Sequence, residues 1–320
     1  MAKKKFYRYP IYLGARLLAA VLSVLPRAAL LGLARFGGRL AFGLVKRHRD
    51  RTLSNLTRVY GRKKSEAEIR AIAVKVFENL AETLAEFLKY RGLTFEKMAS
   101  FVDFGEVFRV CDGLLAEGKG VICMTAHLGN WELLAGAFTL KGYPGAVIGR
   151  KIYYEPYNRW ILSLREAIKV RTIYRDEAVR EIYEVLQKNQ IIGILPDQDI
   201  DSLKGIHVDY FGLPAYTPVA PARIALATGA PMVTSFLVRT GGGHYRFVVG
   251  DVIRARVKTT REAAVREATE AWMKSFEKVI REYPEQWVWM HDRWKTQPAV
   301  SPLKSAAAPA SSYRMAGIAL

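Results

Sequence analysis

The sequence predicts an α/β protein in which a mostly parallel central sheet is flanked by helices, with further amphipathic helices at the N-terminus. Two observations predict this fold. From about residue 103 onward, short apolar runs typical of buried strands alternate with helical stretches of roughly ten to fifteen residues, as in parallel α/β sheets. Before that point, apolar residues recur with the helical period of 3.6 residues, which indicates amphipathic helices.

The composition excludes several classes of protein. Half of the 320 residues are hydrophobic and 11% are aromatic, so the chain can bury a core and is not disordered as a whole. The two cysteines, Cys111 and Cys123, are too few for a disulfide framework or a cysteine-rich zinc module. There is no run of about 18 uncharged apolar residues, which excludes an ordinary multi-span membrane protein.

The distribution of charge divides the chain into three regions. Residues 1–64 hold sixteen Lys and Arg residues but one acid, Asp50, so this fifth of the chain carries +15 of the formal +19. The same segment is the most apolar, and we interpret it as a basic amphipathic membrane anchor. Residues 65–298 form the predicted α/β domain. Residues 299–320 are rich in Ala, Ser and Pro and are predicted to be a flexible tail.

The anchor is predicted to contain two short helices that are broken near Pro26. Arg27, Arg35 and Arg39 fall on one helical stripe, which we expect to face the phosphate headgroups of an anionic leaflet. The longest uncharged stretch has ten residues, whereas a spanning helix needs about 20. A spanning helix, a secretory signal peptide and a nucleic-acid arm are the alternatives. The high leucine content favours lipid over nucleic acid.

Each element of the α/β domain has its own pattern. Residues 65–100 are predicted to be helical, because apolar residues recur at spacings of three and four and Ser65 with Glu68 offers a capping box. Further along, uniformly apolar runs predict strands and periodic stretches predict helices. The predicted strands are 120–125, 145–149, 170–174, 191–195, 231–238 and 245–252, and the predicted helices are 131–140, 155–169, 176–188, 218–228 and 260–282.

The segment between the first predicted strand and the helix at 131 carries the candidate chemistry. His127 lies just past the strand, and Asn130 is a good N-cap, which places Glu132 in the first helical turn. A turn at Gly129 lets the Glu132 carboxylate face His127, fix its tautomer and make it a general base. The sequence has no Gly-x-Ser-x-Gly nucleophile motif, so direct attack by a substrate hydroxyl is favoured. A capped helix beside a surface histidine is the alternative interpretation.

Several separated motifs carry a family resemblance that covers about residues 10–298. The His127-x4-Glu132 element is similar to the His-x4-Asp/Glu motif of the glycerolipid acyltransferase superfamily. The wider pattern resembles the bacterial late acyltransferases of lipid A biosynthesis, the lauroyl/myristoyl transferase family. The matching stretches are TAHLGNWELLA at 125–135, VIGRK around 150, ILPDQD at 194–199, VDYFGLPAYTPVAPARIALATGAPMV at 208–233 and PEQWVWMHDRWKTQP at 284–298.

The resemblance implies a reaction and its surroundings. His127 would deprotonate a hydroxyl of a glycolipid, first of all a lipid A precursor, and that oxygen would attack the thioester of acyl-acyl carrier protein. Glu132 would orient His127 and stabilise its charge, with no covalent acyl-enzyme. The protein would need no cofactor beyond the phosphopantetheine arm that carries the acyl group. It would act as a monomer on the cytoplasmic face of the cell inner membrane.

The resemblance also implies residues that bind substrate. Arg150 would bind a phosphate or the polar head of the acceptor, and a surface salt bridge is its alternative role. Asp197 and Gln198 follow the strand at 191–195 and would shape the site through hydrogen bonds, with capping or packing as the alternative. Asn130, beside the predicted dyad, belongs to the same set. Arg175 could line a path for an anionic lipid, or it could be a solvated surface charge.

Two other functions remain open at this point. Asp197-Gln198-Asp199 after a strand imitates the Asp-x-Asp of metal-dependent glycosyltransferases, in which carboxylates hold a divalent metal. That reading leaves His127 and Glu132 without a role. Alternatively, the basic arm could make the chain a non-enzymatic binder of membranes or nucleic acid.

Overall fold

The computed structural model describes residues 7–175 and 178–298. The predicted tail at 299–320 and the lysines at 3–5 therefore lie outside the described residues. The N-terminal region forms four helices: α1 (Arg8–Val24), α2 (Arg27–Leu44), α3 (Lys46–Tyr60) and α4 (Glu66–Glu86). The predicted break near Pro26 is confirmed, because this residue stands between α1 and α2. The predicted capping box is also confirmed at the start of α4, with Ser65 and Glu68 as its two members.

The centre of the molecule is a seven-stranded sheet that is parallel at every pairing but one. Its strands are β1 (Val102–Asp103), β2 (Val121–Met124), β3 (Gly145–Gly149), β4 (Arg171–Tyr174), β5 (Ile191–Ile194), β8 (Met232–Gly241) and β9 (His244–Ile253), while β6 (Gly205–Tyr210) and β7 (Leu213–Pro218) form a separate hairpin. The order across the large sheet is β1-β9-β8-β2-β5-β3-β4. The exception is the β8–β9 pair, which is antiparallel.

Helices connect the successive strands from β1 to β5, as the α/β prediction requires, and further helices precede β1 and β8 and follow β9. They are α5 (Phe95–Ala99), α6 (Val107–Leu115), α7 (Trp131–Lys141), α8 (Glu155–Glu166), α9 (Ala178–Gln187), α10 (Ala220–Thr228) and α11 (Arg261–Glu282). Strand β2 lies in the middle, between β5 and β8. Because the carboxyl ends of parallel strands meet at one edge, the chain following β2 and the chain following β5 come together there.

The helices α2 and α3 pack into the same core as the sheet. Phe42 of α2 and Leu56 and Tyr60 of α3 are buried in one cluster with residues of β2, β5 and α11. The side-chain amide of Asn55 on α3 donates to the carbonyl oxygens of Trp289 and His291, at 2.8 and 2.7 Å. The part of the basic N-terminal segment that forms α2 and α3 is therefore packed into the core of the α/β fold.

The arginine stripe of α2 forms ion pairs with α4, although the side chains of Arg35 and Arg39 remain 44% and 64% exposed. The expectation that this stripe faces lipid headgroups is not confirmed. The arginines pair with glutamates that recur every four residues along α4, because α2 lies against α4 in the opposite direction. Both α1 and α2 also expose apolar side chains. The ion pairs are Arg27–Glu86, Arg35–Glu82 and Arg39–Glu78. The exposed apolar side chains are Ile11, Leu13, Leu17, Leu18, Val21 and Val24 on α1 and Leu33, Phe36, Leu40 and Leu44 on α2.

Within residues 7–175 and 178–298, no single helix is both long and apolar enough to cross a membrane. The helices α2 and α3 pass that test only as a pair, and they bend by 90° where they meet.

Candidate active site

The site is built on the turn that joins β2 to α7. Gly129 has a φ of +62°, and a Cβ there would lie 2.0 Å from the carbonyl oxygen of Leu237 on the neighbouring strand. Only glycine fits both requirements. The side chain of Asn130 accepts from the N–H of Leu133 and caps α7, as predicted. This tight turn holds His127 at the carboxyl edge of the sheet.

The imidazole of His127 is oriented by Asp197. Its Nδ1 lies 2.7 Å from Oδ1 of Asp197, while the backbone N–H of His127 donates to Oδ2 at 2.8 Å. The indole N–H of Trp287 donates to the same Oδ2 at 2.9 Å. Because an ionised carboxylate only accepts, the proton of a neutral His127 ring sits on Nδ1, and Nε2 is left with its lone pair.

The surroundings of this pair favour a charged imidazole. Asp197 is fully buried, and burial favours its neutral form, but the His127 charge and the hydrogen bonds to Asp197 hold its pKa below the ordinary range. Burial opposes protonation of His127, yet the charge and hydrogen bond of Asp197, helped by the charge of Glu132, raise the pKa of His127. The arrangement is that of a general base whose protonated form is stabilised by a carboxylate.

The prediction that Glu132 contacts His127 is wrong. Both oxygens of Glu132 are taken by Arg165 of α8, whose Nε and Nη2 donate at 2.9 and 2.6 Å. The two side chains are largely buried, at 10% and 18% exposure. In the described part of the chain, no hydrogen bond or ion pair joins Glu132 to His127. Glu132 sits in the first turn of α7, as predicted, but it reaches His127 only through its electrostatic field.

Gln198 and His291 complete the surroundings of the imidazole. The amide nitrogen of Gln198 donates to Nε2 of His291 at 2.9 Å and lies 3.3 Å from Nε2 of His127. The two imidazole rings have their centroids 5.3 Å apart. Burial and then the charge of His127 lower the pKa of His291 to about 4. His291 is therefore a neutral acceptor that fixes the Gln198 amide next to the free nitrogen of His127.

The remaining predicted site residues are spread over two places. Asn130 is fully buried beneath the turn, where its amide donates to Glu86 at 2.8 Å. Arg150 is exposed at the end of β3, and Arg175 lies just after β4. Both arginines thus follow strands on the side of the sheet occupied by β3 and β4, beyond β5.

An apolar cavity begins beside the base. It lies between α7 and the strands β2, β3 and β5, and the empty space there is about 500 Å³ when the open solvent at its mouth is included. At one end it is lined by Trp131, whose ring centroid is 5.1 Å from that of His127. Thr125 also lines it, and the buried hydroxyl of this threonine has no hydrogen-bond partner in the described protein. Further in, the walls are Leu134, Phe138, Gly145, Val147 and Gly193.

The Asp-x-Asp reading fits this site poorly. Asp197 accepts from His127 and Trp287, and Asp199 accepts from the N–H and hydroxyl of Thr296 at 2.9 and 2.8 Å. All four carboxylate oxygens thus already have protein donors. No group of three or more side chains able to bind a metal converges anywhere in residues 7–175 and 178–298.

Sequence reasoning placed Asp197 in the site but missed its role as the partner of His127. The structure explains this contact, because β5 lies beside β2 and the residues that follow the two strands meet at one edge of the sheet. The contacts of Arg165 and Trp287 were also missed. Arg165 is one of two arginines on α8, and Trp287 reaches the site from a loop 90 residues beyond Asp197.

A mostly parallel sheet, a carboxylate-oriented histidine at its carboxyl edge and an adjoining apolar cavity define a class of α/β proteins equipped for base-assisted chemistry on an apolar substrate. Comparison with known families gives the particular one. The model of the bacterial lipid A biosynthesis acyltransferases matches residues 1–296, so the chain belongs to that family. This confirms the resemblance found in the sequence motifs.

Individual relatives are distant but extend over much of the chain. The chain is 24% identical over 187 residues to a phosphatidylinositol mannoside acyltransferase of Mycobacterium tuberculosis, a match that spans 57% of either chain. The corresponding protein of Mycolicibacterium smegmatis is 23% identical over 75% of this chain and 77% of its own. A lipid A biosynthesis lauroyltransferase of Escherichia coli K12 is 25% identical over 82% of this chain and 83% of its own.

Proposed function

We propose that the protein transfers a fatty acyl chain from acyl-acyl carrier protein to a hydroxyl of a glycolipid, first of all a lipid A precursor. The observation that carries this proposal is the Asp197-oriented His127 beside an apolar cavity. The named relatives support the acceptor class, because they act in lipid A biosynthesis or on phosphatidylinositol mannosides, and both acceptors are glycolipids.

The chemical step is a direct acyl transfer. Nε2 of His127 takes the proton of the acceptor hydroxyl as its oxygen attacks the thioester carbonyl carbon. The tetrahedral intermediate collapses, the carbon–sulfur bond breaks, and the imidazolium returns its proton to the leaving thiolate. Asp197 keeps the proton on Nδ1 throughout and stabilises the imidazolium. A positioned base of this kind typically contributes about 10²–10⁴-fold to the rate.

The cavity between α7 and the sheet holds the acyl chain in this proposal. Each methylene that leaves water there contributes about 0.8 kcal/mol, so chains of different length differ in binding by several kcal/mol. The thioester end lies near Trp131 and the methyl end near Gly145 and Gly193, two positions without side chains.

The Thr125 hydroxyl is the proposed donor to the thioester carbonyl oxygen. It lines the cavity, it is two residues from His127, and it is buried without a partner of its own. A donor that is preorganised for developing negative charge stabilises the transition state more than the substrate. In Thr125→Val, which keeps the shape, we expect kcat to fall about 10²-fold with little change in KM. An unchanged kcat would remove this role.

The acceptor and the membrane occupy the exposed part of the site. Arg150 and Arg175 supply positive charge for a phosphorylated headgroup, and Gln198 hydrogen-bonds the incoming hydroxyl. The exposed apolar faces of α1 and α2 lie in the cytoplasmic leaflet of the inner membrane, where such faces insert beneath the headgroups. Glu132 acts at a distance, through Arg165 and through its own charge.

The test is acyl transfer by the full chain in detergent, from a series of acyl-acyl carrier proteins with 10 to 16 carbons to a lipid A precursor, with products read by mass spectrometry. We expect His127→Asn to lose about 10²–10⁴-fold in rate. The matched control is His244→Asn, since His244 is an exposed histidine at the start of β9. Wild-type protein that acylates no glycolipid contradicts the function, and an active His127→Asn contradicts the mechanism.

A further inference from the structure

One buried carboxylate joins the N-terminal helices to the turn that carries the base. Glu86 ends α4, and its side chain is 4% exposed. Its Oε1 accepts from Nη2 of Arg27 on α2 at 2.6 Å. Its Oε2 accepts from the Asn130 amide at 2.8 Å, from Arg239 at 3.1 Å and from the hydroxyl of Tyr245. Glu86 thus touches both α2 and the His127 turn.

Asn130 transmits this contact to the turn. Its side-chain oxygen accepts from the N–H of Leu133 at 2.9 Å, and its own N–H donates to the carbonyl of Leu237 at 3.0 Å. The bond to Glu86 fixes which way the amide points, because the nitrogen must face Glu86 for the oxygen to cap α7. A second hydrogen bond between α4 and the turn comes from Thr83, one turn before Glu86, whose hydroxyl donates to the carbonyl of Gly129 at 3.0 Å.

On the other side, Arg27 is the first residue of α2, directly after Pro26, where α1 and α2 form an elbow. The side-chain ammonium of Lys89 donates to the carbonyl oxygen of Ser23, in the last turn of α1, and to that of Leu25, which follows the helix. The guanidinium of Arg27 also lies 4.0 Å from the ring centroid of Phe101. The elbow is therefore held against the residues that surround Glu86, while Val21 and Val24 on the adjoining turn of α1 are exposed.

We propose that Arg27 is a positioning residue for acyl transfer: it holds Glu86, which holds Asn130 and with it the turn of His127. The α1–α2 elbow is then part of the scaffold of the site as well as a surface for lipid. The position of the elbow therefore affects the orientation of the His127 imidazole. This inference rests on the proposed function for its kinetic consequence, but the contacts it invokes exist independently of it.

The kinetic test compares two arginines that both pair with α4. Arg27→Met removes the link to Glu86, while Arg239 remains paired with that carboxylate. We therefore expect the variant to fold. Arg39→Met is the control, because Arg39 pairs with Glu78, about two turns from Glu86. With saturating acyl-acyl carrier protein and lipid A precursor in detergent, we expect Arg27→Met to lower kcat by about 10-fold to 10²-fold, as small misplacements do.

Two kinetic results distinguish a positioning role of Arg27 from a role in substrate binding or in stability alone. KM of Arg27→Met should stay within about twofold of wild type, and Arg27→Lys should recover most of kcat, since an ammonium can still reach a carboxylate. Arg39→Met should match wild type in both constants. If Arg27→Met and Arg39→Met have the same kcat, or if only KM changes, the proposal is wrong.

A double-substitution cycle tests the route. Asn130→Ser keeps an N-cap for α7 but loses the amide that donates to Glu86. If Arg27 acts through Asn130, adding Arg27→Met to Asn130→Ser causes no further loss of kcat, because interacting sites are not additive. Full additivity of the two losses would overturn the route.

Hydrogen exchange provides a readout that does not depend on acyl transfer. In the full chain in detergent, Arg27→Met should speed amide exchange in a peptide covering residues 127–135 several-fold relative to Arg39→Met. If wild-type protein transfers no acyl chain but this difference appears, the proposed function fails and the positioning contact stands. If transfer occurs and exchange is the same in both variants, the positioning contact fails.

Discussion

Asp197 and Glu132 are two buried carboxylates on either side of the His127 turn, and they are used in different ways. Asp197 follows a strand and accepts from the imidazole, from the His127 backbone and from Trp287. Glu132 is on a helix and accepts from one guanidinium. Glu132 is closer to His127 in sequence but does not contact its ring. The first turn of α7 directs Glu132 toward α8, whereas Asp197 follows β5 and lies against the imidazole.

Of the two carboxylates, Asp197 should have the larger effect on the rate of transfer, and Asp197→Asn measures it. An amide in place of the carboxylate presents a donor to a ring that needs an acceptor, so the wrong tautomer is favoured. By analogy with other Asp–His pairs, we expect kcat to fall on the order of 10³-fold or more. Circular dichroism and thermal melting should show a folded protein. A loss of less than about tenfold in steady-state transfer would mean that Asp197 does not orient the base.

Glu132→Gln should act mainly on stability. It leaves the charge of Arg165 largely buried and without a carboxylate partner, which typically costs about 3–5 kcal/mol of unfolding free energy. The double variant Glu132→Gln with Arg165→Met also removes the unpaired positive charge. We expect it to recover most of the lost unfolding free energy. Denaturant unfolding in detergent measures both. If the single variant unfolds like wild type, the ion pair is not a stabilising feature of the site.

The pH dependence of kcat/KM should show which of the two carboxylates raises the pKa of His127 more. His127 must be neutral to act as a base, so kcat/KM of wild type should rise with pH through a pKa above the ordinary histidine value of about 6.5. Removing either negative charge lowers the pKa of His127 and moves this rise to lower pH. We expect a larger shift in Asp197→Asn than in Glu132→Gln, measured on variants with residual transfer. Equal shifts of the His127 pKa in the two variants would contradict the closer coupling of Asp197 to the imidazole.

The smallest effect should come from chelation. The oxygens of Asp197 and Asp199 already accept hydrogen bonds from protein donors, so a chelator should leave the transfer rate unchanged within error. The measurement is steady-state transfer in EDTA, followed by added Mg²⁺ or Mn²⁺. A tenfold loss that the cation reverses would favour a metal-dependent role for this acidic pair.

Much of the fold could be predicted because its signals are local. The strand 145–149 agrees residue for residue with β3, and the helix starting at Trp131 follows from the N-cap at Asn130. The long helix predicted at 65–100 ends at Glu86, where a short 3-10 turn and α5 take over. The helix α6 and the hairpin β6–β7 were not foreseen. The hairpin is held by residues far along the chain, because Tyr210 of β6 packs against Trp287 and Trp294.

The site was less predictable, because its contacts join residues far apart in the sequence. His127 and Asn130 could be placed from the strand-to-helix transition. The carboxylate partner depends on which strands are neighbours, and the sequence does not state that β5 lies beside β2. The arginine stripe of α2 was identified correctly, but its direction depends on α4, whose glutamates recur with the same period as charges on a solvated helix face.

The bond from the Trp287 indole to Asp197 has a consequence for biosynthesis of the protein. This tryptophan belongs to the segment that follows α11, so a growing polypeptide already contains the β2 turn and Asp197 long before this third donor is translated. Until the segment after α11 has been made, Asp197 therefore has only its two contacts with His127. The surroundings of the base are complete only when Trp287 has packed against this acid.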